Sequence, residues 1–230
     1  MKIGIISDPH ANLYGLQAVL NELKDADMIL CAGDLTGYYT FVNETLDLLR
    51  EKGVICILGN HDAYIVGLLA VPSNPVILPS LEYTKNHISK ENLDYLKSLK
   101  AGFLEVAIDR LRVRMYHASP WDEFEEYVFP DYKNFERFRE IQADVIILGH
   151  THYPMIHWEG EKLVINPGSC GQPRDYNPQA SFAIFDTTTR KAVIKRITYN
   201  SEEIRKRAYE ESLDPYVIQV LTRTECGKTL

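Results

Sequence analysis

Buried-type runs alternate with amphipathic stretches along the first quarter of the chain. Continuous apolar runs at residues 2–7, 28–32 and 54–58 are typical of buried strands. Between them, residues 13–23 and 41–51 carry apolar side chains at the spacing of one helical face. A series of this kind predicts parallel strands joined by helices.

The stretch at residues 63–81 interrupts this series because it has no charged side chain. Its length approaches that of a membrane-spanning helix, but Pro72, Pro75 and Pro79 break it well short of the ~20 apolar residues that a span needs. We interpret it as a short helix followed by a loop, which either walls a pocket or makes an oligomer contact. No membrane association is expected.

Strand patterns dominate the later part of the chain. Seven runs have strand character, at residues 103–108, 112–116, 145–148, 155–158, 163–165, 182–185 and 192–197. Further helices are predicted at residues 90–99, 135–141, 202–211 and 215–221. Because seven late strands are too many to extend one doubly wound sheet, we infer two sheets packed face to face with helices outside.

Length, charge and cysteine content narrow the class of protein. The 230 residues, 45% of them hydrophobic, can bury a full core, and we expect one domain over residues 1–230. The formal net charge of −7 argues against an extended nucleic-acid surface, because such surfaces need clustered Lys and Arg. The cysteines have no CxxC spacing and are interpreted as buried free thiols, which indicates a cytoplasmic location; they are Cys31, Cys56, Cys170 and Cys226.

Metal-capable side chains follow the ends of five predicted strands. In chain order they are Asp8 and His10, Asp34, Asn60 to Asp62 with His61 between them, His117, and His150 with His152. Loops at the carboxyl ends of strands meet at the ligand crevice of an α/β sheet, so we expect these groups to converge. A structural role is the usual explanation for any single histidine, but five of the seven histidines fall in these loops, which favours a shared function.

The types of ligand indicate the chemistry. Imidazole nitrogens and carboxylate oxygens suit Mn, Fe, Ni or Zn ions, and no thiolate is placed to require a softer site. Seven potential ligands exceed what one ion ordinarily takes from protein, so we expect two divalent transition metal ions and one bridging carboxylate. Water between two such cations ionises far more easily than bulk water, which favours the hydrolysis of phosphate esters.

Five short motifs carry a family resemblance. SDPH, GDLTGYY, GNHD, YHASP and LGHTHYP, followed by NPGSCGQPRDYNPQASFAIFD, resemble the calcineurin-like metallophosphoesterase superfamily, in particular its small bacterial and archaeal phosphodiesterase-like branch. Each motif alone is weak, whereas five in order are highly specific. The resemblance implies an α/β fold, a four-layer α/β/β/α sandwich of two mixed sheets flanked by helices.

The resemblance also implies roles for individual side chains. Asp8, His10 and His152 would hold one metal, Asn60, His117 and His150 the other, and Asp34 would bridge them. A metal-bridging hydroxide would attack phosphorus in line. His61 would then protonate the departing oxygen as a general acid, a contribution typically worth ~10² to 10⁴ in rate.

The chain departs from the protein Ser/Thr phosphatases of that superfamily directly after its GD motif. Residues 35–40 supply neither the second Asp nor the Arg found there, which disfavours protein dephosphorylation. The missing acid leaves Asp62 either as the partner of His61 or as a residue that closes the turn. Arg174 either clamps a substrate phosphate, which its guanidinium fork matches, or pairs with Asp175.

The favoured function is a dinuclear metal-dependent phosphodiesterase that acts on small phosphoesters, with nucleotides among the candidate substrates. A nucleotidase or dinucleoside polyphosphate hydrolase would use the same machinery. A retromer subunit shares the implied fold but has lost catalytic positions and binds proteins; His10 and His61 are both present here, which favours catalysis. A homo-oligomer is compatible with these patterns.

Overall fold

Two five-stranded β-sheets face each other in the computed structural model, which describes residues 1–224. The first sheet contains β1 (Lys2–Ile6), β2 (Met28–Cys31), β3 (Ile55–Cys56), β9 (Ala180–Asp186) and β10 (Lys191–Ile197). Their spatial order is β10-β9-β1-β2-β3. Strands β1, β2 and β3 run parallel, whereas β9 lies antiparallel to both β1 and β10. The last two strands therefore complete the sheet that the first three begin.

The second sheet is built from the strands in the middle of the chain. It contains β4 (Phe103–Ile108), β5 (Leu111–Tyr116), β6 (Val145–Ile147), β7 (Pro154–Glu159) and β8 (Lys162–Pro167). Their spatial order is β4-β5-β6-β8-β7, with parallel pairs at β5–β6 and β6–β8 and antiparallel pairs at both edges. Both sheets are thus mixed, and the predicted two-sheet α/β fold is confirmed.

Helices connect and flank the sheets. They are α1 (Leu13–Glu22), α2 (Val42–Glu51), α3 (Asn60–Val66), α4 (Leu78–His87), α5 (Lys90–Ser98), α6 (Glu202–Glu210) and α7 (Pro215–Gln219), with short 3₁₀ helices at Phe135–Glu140 and Val220–Thr222. The sequence patterns do not predict α4. Its first turn contains Pro79, where the missing N–H has no intrahelical partner to lose, so this proline starts a helix and does not break one.

The core between the sheets comes from alternate residues of their strands. Ile3 and Ile5 of β1 belong with Val113 and Met115 of β5 to one buried cluster. Ile6 lies on the other face of β1 and packs in the cluster formed with the helices. Because successive strand residues point to opposite faces, the central strands are buried on both sides and are apolar throughout.

The two outer layers differ in thickness. Leu16 of α1 and Leu46 of α2 are buried in the large cluster that covers the first sheet. The second sheet is covered by the 3₁₀ helix Phe135–Glu140 and the loop before it. Phe138 of this helix packs in a smaller cluster with Ile146 of β6. The predicted helix at residues 135–141 is therefore a single 3₁₀ segment, and the fourth layer is thin.

Three cysteines are buried free thiols as predicted, namely Cys31, Cys56 and Cys170. Cys226 lies outside the described residues. Among residues 1–224, no helix has both the length and the apolar character required to cross a bilayer.

Candidate active site

The loops that follow five strands meet at one end of the sandwich. The loop after β1 is fastened to the loop after β2 by backbone hydrogen bonds, from Asp8 N to Gly33 O at 3.0 Å and from His10 N to Asp34 O at 2.9 Å. The loop after β6 joins the loop after β5 through Gly149 N and His117 O, at 2.8 Å. Backbone contacts therefore fix the relative positions of side chains that are far apart in sequence.

These loops bring the predicted ligands together in two groups. The ligand atoms of Asp8, His10, Asp34 and His152 lie within 4.8 Å of one another, and so do those of Asp34, His117 and His150. The amide oxygen of Asn60 joins the second group, 3.0 Å from His117 Nε2. All seven predicted ligands are buried. Asp34 belongs to both groups, which is the position that the family resemblance implies for a bridging carboxylate.

Backbone carbonyls fix the orientation of three of the imidazoles. His10 Nδ1 lies 2.9 Å from Thr36 O. His117 Nδ1 lies 2.7 Å from Ala32 O. His152 Nδ1 lies 2.5 Å from Gln172 O. A carbonyl only accepts hydrogen bonds, so each Nδ1 carries the proton. In neutral His10 and His152, Nε2 is therefore left with a bare lone pair that can bind a metal, because the backbone carbonyl holds the proton on Nδ1.

The bare nitrogens face one another without a proton between them. The Nε2 atoms of His10 and His152 are 3.1 Å apart, and Asp8 Oδ1 lies 3.4 Å from His152 Nε2. Asp8 Oδ1 is buried and has no hydrogen-bond partner within residues 1–224, and the same is true of His150 Nε2. Convergent lone pairs repel unless a cation lies among them, so these residues fit a metal site.

One oxygen of the Asp34 carboxylate is held by a backbone amide, and the other lies near ligands of both groups. Its Oδ1 accepts a hydrogen bond from His61 N at 2.9 Å. Its Oδ2 lies 3.5 Å from His10 Nε2 and 3.4 Å from His117 Nε2, and thus between the two groups. Asp8 is held similarly, because its Oδ2 accepts from His150 N at 3.2 Å. In both aspartates a backbone amide orients the carboxylate.

Burial sets most of the protonation states in the way that metal ligation requires. It lowers the pKa of His10 and His152, and lowers the pKa of His150 to about 3. Burial raises the pKa of Asp8, but His152 and His117 together outweigh it and the pKa falls to about 2. Ligands must be unprotonated to bind a metal, so these groups are ready to do so.

His117 is the exception among the imidazoles. Burial alone would lower its pKa, yet the adjacent carboxylate of Asp34 raises it to about 9. In the protein without a bound cation, His117 therefore retains a proton beside Asp34. Positive charge at this point is favourable, which agrees with a cation-binding function.

Most of the predicted ligands have an unusual backbone conformation. Five of the seven have a positive φ, in the left-handed region that non-glycine residues seldom adopt: Asp8 (53°), His10 (48°), Asp34 (54°), His150 (65°) and His152 (59°). Such conformations cost free energy and cluster at functional sites, where surrounding contacts enforce them. Here the contacts are the hydrogen bonds between neighbouring loops.

Gly59 allows α3 to approach Asp34 closely. Its φ of −95° is ordinary, so the glycine is not needed for its backbone conformation. A Cβ at this position would lie 2.1 Å from Asp34 Oδ1, closer than any real contact. The requirement is therefore space, and it places His61 N within hydrogen-bonding distance of Asp34.

His61 lies beside the metal-binding groups without joining them. Its buried ring is 4.8 Å from that of His10 and 4.6 Å from that of Tyr38, between ring centroids. Its Nδ1 has no hydrogen-bond partner within residues 1–224, and a Cβ on Gly37 would lie 2.3 Å from this atom. Burial lowers the pKa of His61 to about 4, against the opposing effect of Asp34.

Asp62 occupies the turn-closing position of the two predicted alternatives. Its carboxylate accepts hydrogen bonds from Gly59 N at 3.1 Å, Leu35 N at 3.0 Å and Thr36 N at 2.9 Å. Within residues 1–224 it has neither a hydrogen bond nor an ion pair with the ring of His61. The predicted partnership with His61 is therefore not formed, because backbone amides and the Thr36 hydroxyl occupy both carboxylate oxygens.

Arg174 lines a cavity of about 180 Å³ together with His61 and ligands of both groups. Its Nη2 donates to the Tyr38 hydroxyl at 2.9 Å and to Gln172 Oε1 at 2.9 Å, while its Nε also donates to Gln172 Oε1. The alternative pairing with Asp175 is wrong, since Asp175 binds Arg196. A positively charged side chain thus lies in the cavity beside the candidate metal groups.

Three parts of the chain supply the remaining wall. Residues 63–81 contribute Tyr64, Pro72, Asn74 and Ile77, which confirms the pocket-wall alternative for this segment. Tyr38, Glu125 and Tyr127 also line the cavity, and the sequence interpretation does not identify them. Tyr38 and Tyr64 stand within or next to the quoted motifs, whereas Glu125 and Tyr127 follow His117 in a loop without a periodic pattern.

A sandwich of two mixed sheets, with paired Asp, His and Asn groups at its strand ends, defines the class of metal-dependent phosphoesterases. The profile of the calcineurin-like phosphoesterase superfamily domain matches residues 1–190. The chain therefore belongs to the calcineurin-like phosphoesterase superfamily.

Comparison with individual proteins agrees with this family. An uncharacterised protein of Methanocaldococcus jannaschii is 36% identical over 228 residues, covering 91% of this chain and 90% of that protein. A phosphodiesterase of the same organism is 27% identical over 172 residues, covering 74% of this chain and 84% of that protein. The crystal structure of a metallophosphoesterase from Sphaerobacter thermophilus superposes with a TM-score of 0.84 at 29% identity, covering 98% of this chain and 99% of that one.

Proposed function

We propose that this protein is a dinuclear metal-dependent phosphodiesterase for small substrates. The observation that carries the proposal is the shared carboxylate: Asp34 Oδ2 lies between His10 Nε2 and His117 Nε2, beside a cavity that contains Arg174 and His61. The name of the Methanocaldococcus jannaschii phosphodiesterase supports a diester as the substrate class.

The two groups of ligands would hold one ion each. Asp8, His10 and His152 would hold the first ion, Asn60, His117 and His150 would hold the second, and Asp34 would be shared by both. Bound divalent ions would supply Lewis-acid stabilisation of phosphate charge and lower the pKa of water. Manganese, iron, nickel and zinc all suit this mixture of nitrogen and oxygen donors.

The side chains around the cavity bind and orient the phosphate. Arg174 presents a guanidinium whose position is fixed by Gln172 and Tyr38, so its remaining N–H groups can meet phosphate oxygens. His61 lines the same cavity and donates a proton to the leaving alcohol. Burial keeps His61 neutral in the free protein, and an anionic phosphate beside the ring favours its protonated form.

Asp62 acts as a positioning residue in this proposal. By accepting from Leu35 N, Thr36 N and Gly59 N, it ties the Asp34 loop to the start of α3. That connection places the bridging carboxylate and the proton donor His61 on one rigid unit. A cytoplasmic location agrees with the three buried free thiols, which a reducing compartment preserves.

The test is metal-dependent hydrolysis of a generic diester and the corresponding monoester. Protein stripped with a chelator is reconstituted with Mn²⁺, Ni²⁺ or Fe²⁺ and assayed with bis(p-nitrophenyl) phosphate and p-nitrophenyl phosphate. We expect diester hydrolysis only after reconstitution, with about two ions bound per chain. Activity with neither ester would refute the proposal and favour a protein-binding scaffold.

A further inference from the structure

The mouth of the cavity carries a carboxylate that the proposed mechanism does not use. We define the cavity mouth as Tyr64, Glu125 and Tyr127, which line the cavity outside the ligand groups. Glu125 is exposed, and within residues 1–224 its one side-chain hydrogen bond comes from the Tyr64 hydroxyl at 3.3 Å. It takes part in no ion pair with any of those residues.

No neighbouring side chain neutralises this carboxylate. The wall formed by residues 63–81 has no charged residue. Among the described residues that line the cavity, Arg174 is the single Lys or Arg, and Gln172 and Tyr38 already hold it. The cavity mouth is therefore negative, although the inner part of the same cavity is suited to an anion.

This arrangement discriminates between phosphoesters by charge. A polyphosphate carries charged phosphates beyond the one in the inner cavity, and these would approach Glu125 against repulsion. A phosphodiester has a single negative charge for the inner cavity. If its organic group carries a positive charge, that charge can pair with Glu125.

The aromatic residues of the mouth favour the same ligand. Tyr64 and Tyr127 line the cavity together with Glu125, and the electron-rich rings of tyrosine attract ammonium groups. The Tyr64 hydroxyl also contacts Asn60 Nδ2 at 3.5 Å, so the mouth is connected to the second ligand group. A carboxylate and tyrosine rings in one cavity lining are the chemistry that recognises an organic cation.

We propose that the cavity mouth selects phosphodiesters whose organic group carries an ammonium charge, with Glu125 as the specificity-determining residue. This inference rests on the proposed phosphodiesterase function and adds the class of substrate. It also predicts poor hydrolysis of dinucleoside polyphosphates, because their additional phosphates meet Glu125.

Two diesters with the same leaving group test the proposal. One is p-nitrophenyl phosphocholine, and the other is its neutral isostere, in which carbon replaces the ammonium nitrogen. We expect the metal-reconstituted wild type to prefer the choline ester about threefold to fivefold in kcat/KM, as befits a solvent-exposed charge pair. Glu125→Gln should abolish the preference while the neutral ester is hydrolysed at an unchanged rate.

Glu123→Gln is the matched control. Glu123 is an exposed acid of the same loop that does not line the cavity, so its removal changes the net charge equally but should leave the preference intact. A preference that persists in Glu125→Gln, or disappears equally in Glu123→Gln, overturns the proposal.

Metal content separates substrate selection from an effect on the ligand groups. Glu125→Gln should bind as many ions as wild type. Loss of metal together with an equal fall in activity on both esters would show that Glu125 acts through Tyr64 and Asn60, and would overturn the selection. Wild type that hydrolyses neither ester refutes the phosphodiesterase function itself, whereas equal kcat/KM for both refutes only the selection.

Discussion

The inner part of the cavity and the cavity mouth are held in place by different kinds of contact. At the inner part, backbone carbonyls orient His10, His117 and His152, and backbone amides orient Asp8 and Asp34. At the mouth, Tyr64 and Glu125 meet through side chains alone, and Glu125 and Tyr127 are exposed. The ligand groups therefore cannot change without disturbing the loops, whereas the mouth can change its chemistry while the fold is kept.

Substitution of the shared carboxylate of Asp34 is the strongest test of this comparison. Asp34→Asn keeps an acceptor for His61 N but removes the charge between the two groups. We expect the bound metal to fall well below two ions per chain and activity to fall by at least ~10³, because several kcal/mol of charge stabilisation are lost. Metal analysis and diester hydrolysis measure both. Asp109→Asn, at an exposed position, is the control; retention of two ions by Asp34→Asn would refute the bridging assignment.

Removal of the proton donor should separate chemistry from metal binding. For His61→Ala we expect turnover to fall by roughly 100-fold or more while metal content stays near two, because the ring contributes general-acid catalysis and no ligand atom. The measurements are kcat and ions per chain. His157→Ala, an imidazole on β7 outside the cavity, should behave as wild type. Full turnover in His61→Ala is the result that contradicts this role.

Substitution of Asp62 tests whether the backbone amides that donate to its carboxylate stabilise the inner part of the cavity. Asp62→Asn replaces an acceptor of three amides by a group that is half donor, so we expect the free energy of unfolding to fall by about 2 kcal/mol. Urea unfolding of the metal-free protein measures it. Asp122→Asn should cost much less, because one exposed oxygen of Asp122 accepts from the amides of Phe124 and Glu125 and the Asn amide oxygen can replace it.

The burial of Asp62 predicts a pH dependence of stability, against the opposing effect of the amide hydrogen bonds to its carboxylate. Burial and Asp34 raise the pKa of Asp62 from 3.8 to about 6, so the folded protein holds this proton more tightly than the unfolded chain does. The contribution of Asp62 to the free energy of unfolding is full below pH ~4 and is lost as pH rises through ~6. Asp62→Asn should flatten the profile across that window, and an identical slope in variant and wild type would contradict the raised pKa.

Arg174 should give the smallest effect of this series. In the proposed function its guanidinium binds phosphate beside two cations that carry most of the positive charge, so Arg174→Ala should lower kcat/KM about tenfold, mostly through KM. Steady-state kinetics with the diester measures the split. Arg190→Ala, whose side chain lies over Trp158 away from the cavity, is the control. Unchanged KM in Arg174→Ala would leave the residue without a phosphate role.

The same comparison explains what the sequence could predict. The ligands lie within a few residues of strand ends, so apolar strand runs followed by polar residues were enough to predict that Asp8, Asp34 and His117 converge. The two-sheet fold followed from counting apolar runs. Local patterns determine both results, and tertiary contacts do not change them.

The cavity wall could not be predicted because it depends on long-range packing. Pro79 suggested a loop where α4 begins; the difference arises because Pro79 lies in the first helical turn, where a missing N–H costs no intrahelical hydrogen bond. Glu125 and Tyr127 lie in a loop whose path is set by the cluster around Phe138, far along the chain. The sequence likewise left Asp62 either as the partner of His61 or as a turn-closing residue. The backbone amides that decide for the turn come together only in the folded loops.

The return of β9 to the first sheet has a consequence for synthesis on the ribosome. Lys2 pairs with Asp186, so one edge of β1 stays open until residue 186 has been made. Gln172, whose carbonyl orients His152, is also made long after β1. A nascent chain therefore carries an unpaired, apolar strand edge until β9 is made, and such edges invite aggregation. Contacts of this sequence separation also slow folding, which makes the final strands the step that completes the molecule.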